Sequence, residues 1–158
     1  MNPQPEVTSA KLELLSRKLQ KLYSRVLELE REFAPGLSGL ALLDRLMKDP
    51  QWAWLRSLSS VVADMDHVLS QKDAPTHGDG AAVAAHVRGL LFGEGDLIDD
   101  KFLSHYRPLL QHDPELASLH GELRTLLRDL PAEPVDEAQR LHARHQWAMR
   151  CKHRLHGE

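Results

Sequence analysis

The chain has 158 residues, of which 42% are hydrophobic and 27% are charged, a balance typical of one folded domain and not of a disordered segment. Its single cysteine excludes an internal disulfide framework, and no apolar run is long enough to span a bilayer. The first residues show no charged stretch followed by an apolar run, as a secretory signal would. We therefore expect a cytoplasmic protein.

Charge is distributed unevenly along the chain, although the formal net charge is only −3. Five of the 20 basic side chains lie within residues 139–156, which contain no acidic residue, so 15 basic and 23 acidic side chains remain elsewhere. Such a segregation favours either an acidic partner or docking of the basic segment onto the acidic body of the same chain. The sequence leaves both alternatives open.

The first predicted helix has the most regular pattern. Pro35-Gly36 marks its end. Apolar residues recur at alternating spacings of three and four, which is typical of an amphipathic helix. Such a stripe serves either the core of a helical bundle or an intermolecular coiled coil. The stripe consists of Leu12, Leu15, Leu19, Leu22, Val26, Leu29 and Phe33.

A short helix is predicted within residues 38–46, and Asp49-Pro50 predicts the start of a longer one. On that helix Trp52 and Trp54 point about 200° apart, so they cannot share a pocket. We expect Trp54 in the core and Trp52 at the flank or at an interface. The predicted buried stripe comprises Trp54, Leu58, Val61, Met65 and Val68.

Further helices are predicted to the end of the chain. Asp79 is a candidate N-cap for one of them, Pro108 is expected to kink or break the next, and Asp113-Pro114 marks another start. No strand-like alternation occurs. We therefore predict an all-α antiparallel bundle of six to seven helices over residues 1–133. Residues 134–158 are predicted to form a basic, histidine-rich helix that either docks on the bundle or projects from it.

Two groups of residues carry a family resemblance. They are Asp49-Pro50, Trp54-Leu55-Arg56, Leu58-Ser59 and Asp66, and then Phe102, Tyr106 and Asp113-Pro114. These groups resemble a segment that recurs in small all-helical bacterial proteins, and the likeness covers residues 38–128. The resemblance implies a helical fold and a bacterial source. It implies no activity, cofactor or site residue.

Familiar catalytic motifs are missing from the sequence. It contains no phosphate-binding loop, no Gly-x-Ser-x-Gly elbow and no His-Glu-x-x-His zinc motif. The Glu-x-x-His pair of di-iron bundles is missing as well. We therefore expect a protein that is not an enzyme.

Four histidines mark one face of the last predicted helix. His142, His145, His153 and His156 fall within an arc of about 80° together with Met149. The two inner histidines of this set lie about 12 Å apart along the axis, so the four cannot meet at one ion. Each pair would need ligands from another helix or subunit to hold a divalent transition metal. A weakly apolar docking strip, an arm for an anionic surface and a pH switch are the alternatives.

Large and basic side chains add candidates for an interaction surface. The favoured hypothesis is a non-enzymatic module that binds a protein partner or a second copy of itself through apolar helix faces. One alternative is a bundle that binds a metal or small ligand through the histidine face. Another is a nucleic-acid-associated regulator, which the acidic body disfavours. The candidate interaction residues are Trp52, Arg140, Arg144, Trp147, Arg150 and Arg154.

Overall fold

The computed structural model describes residues 5–32, 40–41, 44, 48 and 50–155, and side chains are described for those between residues 8 and 152, except 50 and 51. Within these ranges the chain forms no strand, and the predicted all-α fold is confirmed. In the described part of the chain, a 3₁₀ turn at Pro50–Leu55 and a π-helical turn at Arg88–Phe92 accompany six α-helices. The helices are α1 (Pro5–Glu32), α2 (Arg56–Leu69), α3 (His77–Val87), α4 (Asp100–His112), α5 (Pro114–Arg128) and α6 (Glu137–Leu155).

The apolar stripe of α1 lies inside the core. All of its described members, from Leu12 to Leu29, are 9% exposed or less, and α1 packs on α2 and α5. Burying a leucine in this way contributes about 1.5–3 kcal/mol each. The described members of the stripe therefore lie in the core of the chain itself, while Phe33 lies outside the described residues, and the antiparallel bundle stays a prediction.

Both tryptophans of the 3₁₀ turn are buried, which corrects the expected position of Trp52. Trp52 and Trp54 are each only 5% exposed, because the turn packs against α4 and both side chains belong to the common core. Trp54 stacks on His105 with ring centroids 5.1 Å apart. The predicted short helix within 38–46 lies mostly outside the described residues, as does Asp49.

The N-cap of α5 is the predicted residue, whereas the N-cap of α3 lies three residues before the predicted one. Asp113 caps α5, because its carboxylate accepts a hydrogen bond from the backbone N–H of Leu116 at 2.9 Å. Asp79 lies three residues inside α3 and accepts from the N–H of Thr76, while the Thr76 hydroxyl accepts from the N–H of Asp79. Thr76 is therefore the N-cap of a reciprocal capping box.

Helix α4 continues through Pro108 to His112, so of the expected kink or break the break is wrong, and the kink stays a prediction. A proline inside a helix removes one backbone hydrogen bond. Here the proline is exposed, and the preceding turns are anchored by the buried side chains of Phe102, Leu103 and Tyr106. The packing of those side chains keeps the remaining helical turn in place.

The π-helical turn brings the following loop against α3. A Cβ added to Gly89 would lie 2.0 Å from the carbonyl oxygen of Leu97, so only glycine permits this approach. Gly93 ends the turn in the left-handed region, at φ 65°, which glycine adopts without strain. The loop that carries Leu97 is thus held beside α3.

Helix α6 docks on the body of the protein, which decides between the two predicted placements of residues 134–158 as far as they are described. It packs across α3 and α2, and Trp147 and Cys151 join the common core. The small side chains of α3 permit a close approach, since Ala81, Ala82 and Ala84 are all buried. In the described part of the chain, no helix combines the length and the apolar character that crossing a membrane requires.

Candidate docking groove

A groove with a cavity volume of about 530 Å³ lies along α6, and we name it the α6 groove. Its lining is mostly apolar, with a few polar groups at the edge. Pockets of this size and composition are the usual form of binding sites in proteins. The lining residues are Ser60 and Asp64 from α2, Ala82 and His86 from α3, Leu97 from the loop, and Arg144, His145, Trp147, Ala148, Met149, Cys151 and Lys152 from α6.

The groove continues towards the start of α4. A second concavity shares Ser60, Asp64, His86 and Leu97 with it, so the two form one continuous surface. This second part is bordered by four carboxylates, which we name the acidic lip. The acidic lip consists of Asp64, Asp96, Asp99 and Asp100.

Part of the acidic lip has a structural role. Asp99 caps α4 by accepting a hydrogen bond from the N–H of Phe102 at 3.0 Å, and it also accepts one from the Ser57 hydroxyl at 2.8 Å. Asp100 follows in the first turn of the same helix and is exposed. Carboxylates are favourable at a helix N-terminus because the backbone dipole places partial positive charge there.

Arg144 ties α6 to two acidic residues of the body. Its guanidinium donates to Glu133 at 2.6 Å and to Asp96 at 2.7 and 2.9 Å. These bonds raise the pKa of Arg144, Glu133 making the largest contribution. They also lower the pKa of Asp96 to about 2. Arg144 therefore serves an intramolecular contact.

Arg150 makes a second attachment further along α6. It donates to the Asp79 carboxylate at 2.5 Å, to the Gln71 side chain at 3.1 Å and to the carbonyl oxygen of Asp73. Asp79 is only 2% exposed, so the pair is largely shielded from solvent. The docking of basic side chains onto the chain's own acidic body thus accounts for Arg144 and Arg150.

The remaining candidate interaction residues are not all accessible. Trp147 is buried at 9% exposure and Trp52 at 5%. Arg140 donates to the carbonyl oxygen of Val135 at 3.4 Å, and the side chain of Arg154 lies outside the described residues. The two tryptophans therefore stabilise the fold, and their position leaves little surface for a partner.

The histidine face of α6 points to solvent where it is described. His142 and His145 are exposed, and Met149 is 43% exposed. The side chains of His153 and His156 lie outside the described residues. Among the side chains that are described, no three from His, Cys, Asp and Glu come together as a metal site requires. The metal site stays a prediction that depends on ligands from elsewhere.

His86 is a groove residue that sequence reasoning did not single out. Partial desolvation by the surrounding protein lowers its pKa, and the carboxylates of Asp64 and Asp99 oppose that shift. The lowered pKa favours the neutral imidazole, which suits an apolar lining. His86 lines the groove because α3 packs beside α2 and α6. The residue pattern of α3 alone cannot show this position.

A polar pair of a buried tyrosine and a half-buried histidine lies away from the groove, between α4 and α5. The Tyr106 hydroxyl is 2.8 Å from Nδ1 of His120. Burial raises the pKa of Tyr106 and lowers the pKa of His120 to about 4. With both groups neutral, the Tyr106 hydroxyl and Nδ1 of His120 share one hydrogen bond, and this nitrogen serves the fold.

The α6 groove is thus a concave, mostly apolar candidate binding surface, with Asp96, Asp99 and Asp100 towards α4 and His145 and Lys152 along α6. Comparison of the chain with protein-family models, with curated proteins and with solved structures finds no match.

Proposed function

We propose that this protein is a non-enzymatic interaction module that docks an amphipathic helix of a protein partner in the α6 groove. The observation that carries the proposal is the position of exposed apolar side chains beside an apolar concavity. Met149 lines the groove and is 43% exposed, and Leu141, on the same helix, is 52% exposed. Exposed apolar surface next to a concave site commonly marks a binding surface.

The packing of the other helices supports this choice of surface. Three faces were expected to dock a partner: the α1 stripe, Trp52 and the last helix. The α1 stripe and Trp52 are buried within the chain. The proposal therefore rests on α6 and the walls that α2 and α3 place beside it.

An α-helix of the partner is the segment that fits the groove best. The groove follows residues 144–152 of α6, a length of about 12 Å at 1.5 Å per residue. Helices that dock in grooves insert apolar side chains at i, i+3 or i+4 and i+7. Ala82 and Ala148 offer small surfaces for such side chains, while Lys152 can pair with an acidic group of the partner.

Selection from a displayed library of amphipathic helical peptides tests the proposal. We expect enriched peptides to bind the wild type with micromolar affinity and to carry the i, i+3, i+4 pattern. Ala148→Glu should weaken this binding at least about tenfold, because it places a carboxylate in the apolar groove.

Ala117→Glu provides the matched control, since Ala117 is an exposed alanine on α5 and does not line the groove. It should bind the selected peptides as the wild type does. Peptides that bind Ala148→Glu as tightly as the wild type would place the binding surface elsewhere, and failure to enrich any peptide would also contradict the proposal.

The alternatives have less support. A nucleic-acid role requires available cations, whereas Arg144 and Arg150 are bonded within the chain. A metal role depends on His142 and His145 finding further ligands. We place the module in the bacterial cytoplasm, in keeping with the single cysteine and the resemblance to small bacterial proteins.

A further inference from the structure

We infer that a second copy of this chain is the partner that covers the α6 groove, in a two-fold symmetric pair. This inference rests on the proposed function, because it names the occupant of the same groove. Two features of the groove support this inference. Exposed apolar side chains lie beside it, and acidic and basic side chains line different parts of it.

The first feature is self-complementary shape. Met149 on α6 and Ile98 in the loop are 43% and 44% exposed, and each lines one part of the continuous groove. One surface therefore carries both projecting apolar side chains and an apolar concavity. A two-fold contact uses the same patch on both subunits, so that the projections of each copy enter the concavity of the other.

The second feature is the separation of charge. Asp96, Asp99 and Asp100 of the acidic lip line only the part of the groove towards α4, while Asp64 lines both parts. Lys152 and His145 line the α6 side, and we name these two residues the basic lip. A two-fold axis over the groove sets the basic lip of each copy against the acidic lip of the other. Complementary potentials of this kind orient two surfaces and suppress wrong pairings.

The internal attachments leave part of each lip available for this contact. Arg144 already neutralises Asp96, and Asp99 is bonded to Ser57 and to the α4 backbone. Asp100 lines the second concavity and Lys152 lines the first, and both are exposed. These two residues are therefore the best points at which to reverse charge.

Light scattering on purified full-length protein, in line with size-exclusion chromatography and over a range of concentrations, tests the inference. The monomer mass is 17.9 kDa, and we expect twice that mass at high concentration, with a Kd in the micromolar range that weakens as salt is added. Lys152→Glu and Asp100→Lys should each raise the Kd about tenfold, because each brings like charges together twice in a symmetric pair.

A mixture of the two variants is the decisive sample. In a two-fold contact between Lys152→Glu and Asp100→Lys, every reversed charge meets a charge of opposite sign. The mixture should therefore recover a Kd within about threefold of the wild type. A loss caused by altered folding would not recover on mixing. Lys21→Glu on α1, which does not line the groove, is the matched control and should pair normally.

The outcomes separate the inference from the function on which it rests. A chain that stays monomeric at every concentration, or a dimer that neither charge reversal affects, overturns the self-pairing. If the selected peptides still depend on Ala148 in that case, the proposed docking function stands with another partner. If a monomeric chain also fails to enrich peptides, both are overturned.

Discussion

The first and the last helix are both amphipathic, but they are held in different ways. Helix α1 buries a continuous row of aliphatic side chains between α2 and α5. The described core residues of α6 are only Trp147 and Cys151, and the helix is attached by the ion pairs of Arg144 and Arg150. Burial of aliphatic side chains stabilises a fold without requiring a particular orientation of the contacting groups. A buried ion pair stabilises it only when the two charged groups have a favourable distance and orientation. The comparison indicates that α1 supports the fold and that α6 presents the surface.

The largest effect on stability is expected in α1. Leu19→Ala removes a fully buried side chain from the stripe and should lower the free energy of unfolding by about 3–4 kcal/mol, because it leaves a cavity in the core. Urea unfolding followed by circular dichroism measures the change. Lys21→Ala, at an exposed position of the same helix, should stay within about 0.5 kcal/mol of the wild type.

An intermediate effect is expected at the attachment of α6. Arg150→Met keeps the length of the side chain but leaves the buried carboxylate of Asp79 without its ion pair. We expect a loss of about 2–3 kcal/mol. Hydrogen exchange should accelerate in α6 more than in α1, because the attachment is local.

Arg128→Met is the control for that experiment, since Arg128 is an exposed arginine at the end of α5. It should leave exchange in α6 unchanged. Equal acceleration in α1 and α6 after Arg150→Met would refute the view that the two helices are stabilised separately.

Acid should weaken a third kind of contact, the Tyr106–His120 pair. The pKa of His120 is lowered to about 4 in the folded protein, whereas an unfolded histidine has a pKa near 6.5. The unfolded chain therefore binds more protons between these values, and stability should fall as the pH drops from about 6.5 to 4. Since the ring is partly exposed, we expect a contribution of about 1–2 kcal/mol.

Unfolding by urea at several pH values measures this dependence. His120→Gln keeps a hydrogen-bond acceptor for Tyr106 but cannot titrate in this range, so it should flatten the slope. His112→Gln changes an exposed histidine of α4 and should leave the slope as it is. An unchanged slope in His120→Gln would assign the pH dependence to other groups.

The smallest effect on stability is expected at the groove. Met149→Ala removes a side chain that is 43% exposed and should change the free energy of unfolding by less than about 0.5 kcal/mol. Trp147→Ala, two residues away, should cost about 3 kcal/mol, because Trp147 belongs to the core. Thermal unfolding of both variants compares them. A large loss for Met149→Ala would mean that this residue supports the fold instead of the surface.

The sequence by itself determined the helices whose signals are local. The stripe of α1 and the Asp113-Pro114 start of α5 are readable because helix periodicity and capping depend on residues three or four apart. The same locality explains the error at Trp52. Helix periodicity predicts only the relative directions of Trp52 and Trp54, whereas burial depends on what packs around the turn, and here α4 packs against it.

Only the tertiary structure decided how α6 and its groove are built. The basic residues near the C-terminus were visible in the sequence, but their acidic partners Asp96, Glu133 and Asp79 lie between 11 and 71 positions away. The groove combines side chains from three helices with a loop that Gly89 admits. Contacts between distant residues follow from packing the whole chain at once, because burial and ion pairing depend on which surfaces meet and not on local spacing.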